Sequence, residues 1–176
     1  MKFKSRWLAI YLVMIKNGIK IEFAESADAA EIGIMSKNEI EYGLGWKYTP
    51  DRVVKLIRDG SKNVIVARNE SALVGFGIMT YRDTQANLDL LAVKPGFRRM
   101  KVGTQVVQWL EKVALEAGIY NIFVQVRERN VNAIAFYKQL GYLVVDRDKT
   151  YYRGVEACIL MAKSLRGMLS YHYGPV

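Results

Sequence analysis

Residues 93–104, Val-Lys-Pro-Gly-Phe-Arg-Arg-Met-Lys-Val-Gly-Thr, hold four cations (Lys94, Arg98, Arg99 and Lys101) and no acid. The apolar run from Leu88 to Val93 feeds this stretch, and a helical pattern follows it directly. A strand, a loop with free backbone N–H groups and a helix N-terminus with its partial positive charge together make an anion site. A phosphate group needs several donors with little side-chain bulk between them, which the backbone amides from Arg98 to Thr104 can supply. The chemistry expected here is retention of a phosphate-bearing ligand.

Composition removes several other chemistries. The chain has one cysteine, Cys158, and one histidine, His172, five residues from the C-terminus in an expected tail. An internal disulfide is excluded, and multi-cysteine metal sites and Ser-His-Asp or Cys-His catalysis are disfavoured, so no metal is expected. The formal charge of +9 suggests nucleic acid until it is apportioned. Residues 1–20 carry five bases and no acid, whereas the rest of the chain has 21 bases and 17 acids. Neither a helix-turn-helix nor an aromatic-basic single-strand platform is evident, so nucleic acid is not the expected partner. Trp7 to Ile15 is a nine-residue apolar run behind three positive charges. It is shorter than the ~20 residues that span a bilayer. No small-x-small cleavage site follows it. The reading preferred for residues 1–18 is an extension of a cytoplasmic protein, or an upstream start with Met14 as the true beginning.

The elements that must position the loop follow from periodicity. Ile19 to Phe23 alternates as a strand. Ser26 is expected to cap a helix running to about Glu41, and Tyr42 to Tyr48 is a Gly- and aromatic-rich break. Thr49-Pro50-Asp51 reads as cap, first helical proline and acidic first turn of a helix ending near Gly60. Val64–Ala67 and Ala72–Tyr81 form an antiparallel pair, and Leu88–Val93 is the next strand. Val102, Val106, Leu110, Val113 and Ala117 mark a helix from about Gly103 to Ala117, stopped by Gly118. A strand over Ile122–Val126, a helix over Asn130–Leu140 closed by Gly141, and strands over Tyr142–Val145 and Glu156–Met161 complete the order. An α+β fold is expected: a mixed, mostly antiparallel central sheet with helices on both faces, three layers in all. The expected domain is residues 19–165, with a tail over 166–176.

Two motifs in this order resemble the GCN5-related N-acetyltransferase superfamily. Its acetyl-CoA signature, Arg/Gln-x-x-Gly-x-Gly/Ala after a strand ending Val-x-Pro, is matched by Val93, Pro95, Arg98 and Gly103. Its helix Asn-x-x-Ala-x-x-Φ-Tyr-x-x-x-Gly-Φ is matched by Asn130, Ala133, Phe136, Tyr137, Gly141 and Tyr142. Val126-Arg127-Glu128-x-Asn130 and the segment Tyr151 to Ala162 are locally similar to the ribosomal-protein N-terminal-alanine acetyltransferases. The resemblance implies the acyl-CoA N-acyltransferase fold, acetyl-CoA as donor cosubstrate and no metal. It implies that Leu91, Ala92 and Val93 hold the pantetheine arm and supply an oxyanion-binding N–H. Arg98, Arg99, Met100, Lys101, Val102, Gly103 and Thr104 would hold the pyrophosphate. Asn130 would bond the CoA arm, and Tyr137 would also touch it and protonate the departing thiolate. Lys101 departs from the signature, standing where its first glycine belongs. It either adds a phosphate contact or restricts the backbone.

The acceptor side breaks the pattern. The acceptor amine must be neutral to attack, and the two positions where relatives commonly carry a carboxylate read Asn87 and Gln125. Amides take no proton near neutral pH. Three routes stay open: an acceptor of low pKa with ordered water, as an α-amino group at ~8 would allow; Glu41; or Asp89, which the strand period returns to the face of Asn87. Tyr42, Trp46, Tyr48, Gln125, Tyr151 and Tyr152 are the expected acceptor-binding residues for a small-molecule or peptide amine. The aromatic ones suit core or homodimer contacts equally well. The expected function is transfer of an acetyl group from the CoA thioester to a primary amine by direct attack. The alternative is a non-catalytic acyl-CoA-binding sensor on the same fold, which the missing acids favour.

Overall fold

A computed structural model describes residues 13–16, 18–151 and 156–166. The readings above at Trp7, Tyr152, His172 and residues 167–176 lie outside the described residues. The chain forms two compact units. Of the described residues, one comprises those up to Thr80 together with Asp89–Leu110; the other comprises Tyr81–Leu88 and those from Glu111 on.

In the first unit, Val13–Lys16, assigned above to the extension, forms β1 and pairs antiparallel with β2 (Ile19–Phe23). Ile19 and Ile21 of β2 are buried, as its alternation predicts. Ser26 does not cap the first helix. It opens a single 3-10 turn, Ser26–Asp28, in which the Glu25 N–H donates to Asp28 Oδ2 at 2.9 Å. The Arg68 guanidinium holds that carboxylate at 2.7 Å, and α1 (Ala29–Glu39) starts two residues late. Its buried residues Ala29, Ile32, Met35 and Ser36 recur at helical spacing. After the aromatic break, Thr49 is extended and Pro50 opens α2 (Pro50–Arg58). A Cβ on Gly33 would lie 3.0 Å from Pro50 N, so the bare glycine is what lets α1 meet the start of α2.

Strands β3 (Lys62–Asn69), β4 (Ala72–Tyr81) and β5 (Gln85–Val93) follow, so this unit's strand order is β1-β2-β3-β4-β5. Asn63 to Ala67 are all buried, and Val64 to Ala67 form an unbroken apolar run rather than an alternation, as a strand covered on both faces requires. Val64, Val66, Phe76, Ile78 and Leu90 pack with Ile32, Met35 and Val53 in one core. Each large aliphatic so buried contributes about 1.5–3 kcal/mol. Helix α3 (Val102–Glu116) begins in this unit.

In the second unit, Gln85–Leu88 of β5 runs parallel to β6 (Asn121–Arg127), with Leu88 opposite Val124. Strand β6 is antiparallel to β8 (Cys158–Ser164), and β8 to β7 (Leu143–Asp148), giving the order β5-β6-β8-β7. The sheet is therefore mixed and mostly antiparallel, as expected for this α+β chain. Between β6 and β7 lies α4 (Val131–Gln139). Gly118 and Gly141, at φ +77° and +87°, close α3 and α4 in the left-handed region that glycine tolerates best. Cys158 is buried opposite Arg127, and burial pushes its thiol up to about 11.

Candidate active site

The end of β5 delivers the loop. Leu90 and Ala92 are buried, whereas Asp89, Leu91 and Val93 stand half-buried on the other face. The Lys94 N–H still donates to Val74 O at 2.9 Å, after which Pro95–Phe97 makes a 3-10 turn. The Phe97 and Arg98 N–H groups turn back onto Lys94 O and Pro95 O, at 2.9 and 3.2 Å. The Arg98 amide is thus engaged inside the turn. Farther on, the Gln105 N–H donates to Lys101 O at 3.0 Å. Val102, Gly103 and Thr104 form the first turn of α3, whose amides have no acceptor within the helix.

Arg99 and Lys101 both sit in the left-handed region, at φ +65° and +62°. For a side-chain-bearing residue that conformation costs roughly 1–2 kcal/mol. Lys101, standing where the signature has glycine, therefore takes a backbone conformation that glycine tolerates best. Met100 is exposed, and Val102 is buried as the anchor of the helix start.

The four cations are not unopposed, because α1 brings acids to two of them. Lys94 Nζ pairs with Glu31 at 2.5 Å. Arg98 Nη2 pairs with Glu39 at 2.5 Å, and its Nε donates to Val93 O at 3.1 Å. The attraction for an anion accordingly rests on backbone N–H groups, the helix terminus, Arg99 and Lys101.

Of the three routes to an amine base, two carboxylates are already engaged. Glu41 is buried and holds the aromatic break together. It accepts from Ser36 Oγ at 2.9 Å and from the Lys47 and Tyr48 amides at 2.7 and 3.2 Å. Asp89 Oδ2 accepts from Thr80 Oγ1 and stands 3.8 Å from the Lys62 ammonium. Sequence spacing alone hid both attachments. Around the Glu41 anchor, Tyr42 and Trp46 are exposed, and Trp46 Nε1 donates to Gly33 O at 3.2 Å. Lys37 lies 4.9 Å over the Trp46 ring and Arg52 5.0 Å over that of Tyr48.

The second unit holds the remaining expected residues. Asn130 caps α4, its Oδ1 accepting from the Ala133 N–H at 3.1 Å, which leaves its amide NH2 as the outward donor. Tyr137 is 5 % exposed, in edge contact with Phe136 and Tyr142 at ring separations of 5.1 and 5.4 Å. Burial pushes its hydroxyl well above the usual phenol value, so it is held as O–H, able to donate. Gln125 and Asn87 are half-buried on neighbouring strands β6 and β5, and Tyr151 is exposed. Sequence reasoning missed a cluster here, buried Glu156 and Arg127 with exposed Arg129. Three charges within the Arg127-Glu128-Arg129 run were the available signal.

This architecture has known relatives. The acetyltransferase (GNAT) family matches residues 33–142, more than half of the chain, and the chain belongs to that family. Among curated proteins it is 28% identical over 120 residues to a spermidine N(1)-acetyltransferase of Thermoplasma acidophilum, covering 66% of this chain and 74% of that one. It is 29% identical over 96 residues to the ribosomal protein bS18 alanine N-acetyltransferase of Salmonella typhimurium, covering 53% and 65% of the two chains. Among solved structures, Ard1 of Thermoplasma volcanium superposes with a TM-score of 0.74 at 25% identity, over 84% of this chain and 97% of that one.

Proposed function

We propose that this protein transfers the acetyl group of acetyl-CoA to the α-amino group of a peptide. The observation that carries the donor half is the start of α3, where first-turn amides follow two left-handed basic residues, Arg99 and Lys101. That arrangement suits a pyrophosphate. Arg99 to Thr104 hold the phosphates, the half-buried side of Leu91–Val93 receives the pantetheine arm, and a backbone N–H there meets the oxyanion. The Asn130 amide donates to the arm. The acceptor nitrogen attacks the thioester carbon and yields a proton to water; the C–N bond forms with charge passing to the carbonyl oxygen, the C–S bond breaks as that charge collapses, and the Tyr137 hydroxyl gives its proton to the leaving thiolate and recovers one from water.

Charge favours a peptide over a polyamine as acceptor. The aromatic break presents Lys37 and Arg52 over its rings, and its own carboxylate, Glu41, is buried among three donors. A polycation would meet like charge there, whereas an α-amino group, with a pKa of ~8, is neutral often enough to need only water as base. The test is thiol release from acetyl-CoA with peptides of differing first residue, set against spermidine. A peptide substrate with spermidine inert is the expected result; spermidine as the better acceptor would overturn the acceptor assignment. The reading as a non-catalytic acyl-CoA sensor is favoured by the amides at Asn87 and Gln125 and by the engaged Glu41. Tight acetyl-CoA binding with no amine turned over would establish it.

A further inference from the structure

Glu156 has no part in the chemistry above, yet it is among the most heavily bonded side chains of the second unit. Its carboxylate is 4 % exposed. It accepts from Arg127 Nε at 2.7 Å, Arg129 Nε at 2.9 Å and the Arg129 backbone N–H at 3.1 Å. The first donor closes β6, and the other two lie in the turn that joins it to α4. The same turn is tied by the Glu128 N–H to Ala157 O at 3.0 Å and by the Asn130 N–H to Arg127 O at 2.9 Å. From the far side, Arg147 of β7 grips the Glu128 carboxylate with two nitrogens.

We infer that Glu156 is a positioning residue for acetyl transfer: by clamping residues 127–129 it sets where Asn130 stands and where α4 carries Tyr137. The inference rests on the roles proposed for Asn130 and Tyr137. A charged pair is not required merely to fill this space, since a buried ion pair is often replaced by apolar side chains without loss of stability. What an apolar side chain cannot supply is an acceptor for the Arg129 N–H, one residue before the cap. Asn130 Oδ1 in turn receives the Ala133 amide, and Ile134 N–H donates to Asn130 O at 3.1 Å, so a displaced cap moves the first turn of α4. Tyr137 lies two turns farther along the same helix, about 10 Å by helical rise.

The experiment compares the double variant Arg127→Met/Glu156→Leu, which refills the space without charge, with Glu156→Gln, which keeps one acceptor oxygen. Steady-state kinetics with varied acetyl-CoA and varied amine give both KM values. The expected result is a KM for acetyl-CoA raised about tenfold in the double variant and by a smaller but measurable factor in Glu156→Gln, which keeps an acceptor but loses the charge, with the KM for the amine unchanged. A purely structural role would lower the fraction of active protein, so kcat would fall while both KM values held. Both KM values at the parent level, with or without lower kcat, overturn the inference. Should the double variant fail to fold, Glu156→Gln decides on the same criterion. Asn130→Ala and Tyr137→Phe run beside them: if neither alters kcat or KM, the proposed site roles fail instead, whatever Glu156 does.

Discussion

Two strand-to-helix connections in this protein are built from the same kinds of residue and put them to opposite uses. The loop before α3 carries Arg98, Arg99 and Lys101; the turn before α4 carries Arg127 and Arg129. In the second, a buried acid gathers both arginines, and the backbone between them is locked. In the first, one arginine takes a half-exposed acid, Glu39, while Arg99 and Lys101 keep a left-handed path. A basic residue at such a junction is thus locked into the fold or left available to a ligand according to whether a buried carboxylate reaches it. Nothing in the local sequence decides this, because the deciding acids lie 29 and 59 residues away.

The difference can be broken most forcefully at the buried acid. Glu156→Ala leaves Arg127 buried without its partner and should destabilise the fold by about 3–5 kcal/mol, read from denaturant unfolding. Unfolding within ~1 kcal/mol of the parent would put this turn in the same class as the exposed loop. Next in size is Tyr137→Phe, on the helix that the turn positions. Its kcat should fall about 100-fold, roughly 2.7 kcal/mol of barrier, with acetyl-CoA affinity kept. An unchanged kcat would remove Tyr137 as the proton donor.

Acid titration sharpens the contrast further. Burial alone would raise the Glu156 carboxyl, but hydrogen bonds and charge from Arg127 and Arg129 outweigh it and hold the group below its usual 4.5. Its stabilising contribution is therefore complete above that value and disappears as pH falls through the lower, folded-state value. The parent should lose stability on acidification below about pH 4.5, and Glu156→Gln should lose measurably less over the same span. Parallel curves would refute the assignment.

Smaller effects belong to the exposed loop. Lys101→Gly removes the left-handed penalty, so melting should rise by about 2–4 °C, the equivalent of ~1 kcal/mol in a domain of this size. A lower melting temperature would mean that the ammonium contributes more than the strain costs. Smallest of all, Glu39→Gln breaks an ion pair whose arginine is 53% exposed and should shift stability by less than ~1 kcal/mol.

Much of this was legible in the chain. Thr49-Pro50, Asn130, Gly118 and Gly141 mark helix ends by local rules, and the structure uses each of them as such. The strand leading into the basic loop was equally plain. Ser26 misled because Asp28, two residues on, is held by Arg68 from β3 and accepts the Glu25 amide itself. Val13–Lys16 was read as extension because its pairing with β2 depends on a turn at Gly18, φ +74°, which periodicity does not reveal. At the site, residue types picked out the basic loop and the start of α3, which the structure places together as one strand-to-helix connection. The attachments of Glu41 and Asp89 are side-chain contacts made by folding, and spacing along one strand or loop could not show them.

The position of Cys158 bears on both the reaction and its assay. With its thiol held near 11, only roughly one part in a thousand is thiolate at pH 8, and the sulfur is almost wholly out of reach of solvent. The cysteine of the folded chain is therefore a poor nucleophile, and an acetyl group is not expected to rest on it. The same silence makes a colorimetric thiol reagent an honest counter of free CoA, with no background from the folded enzyme. Denaturing the protein should expose one titratable thiol per chain, a convenient internal measure of how much of any variant had been folded.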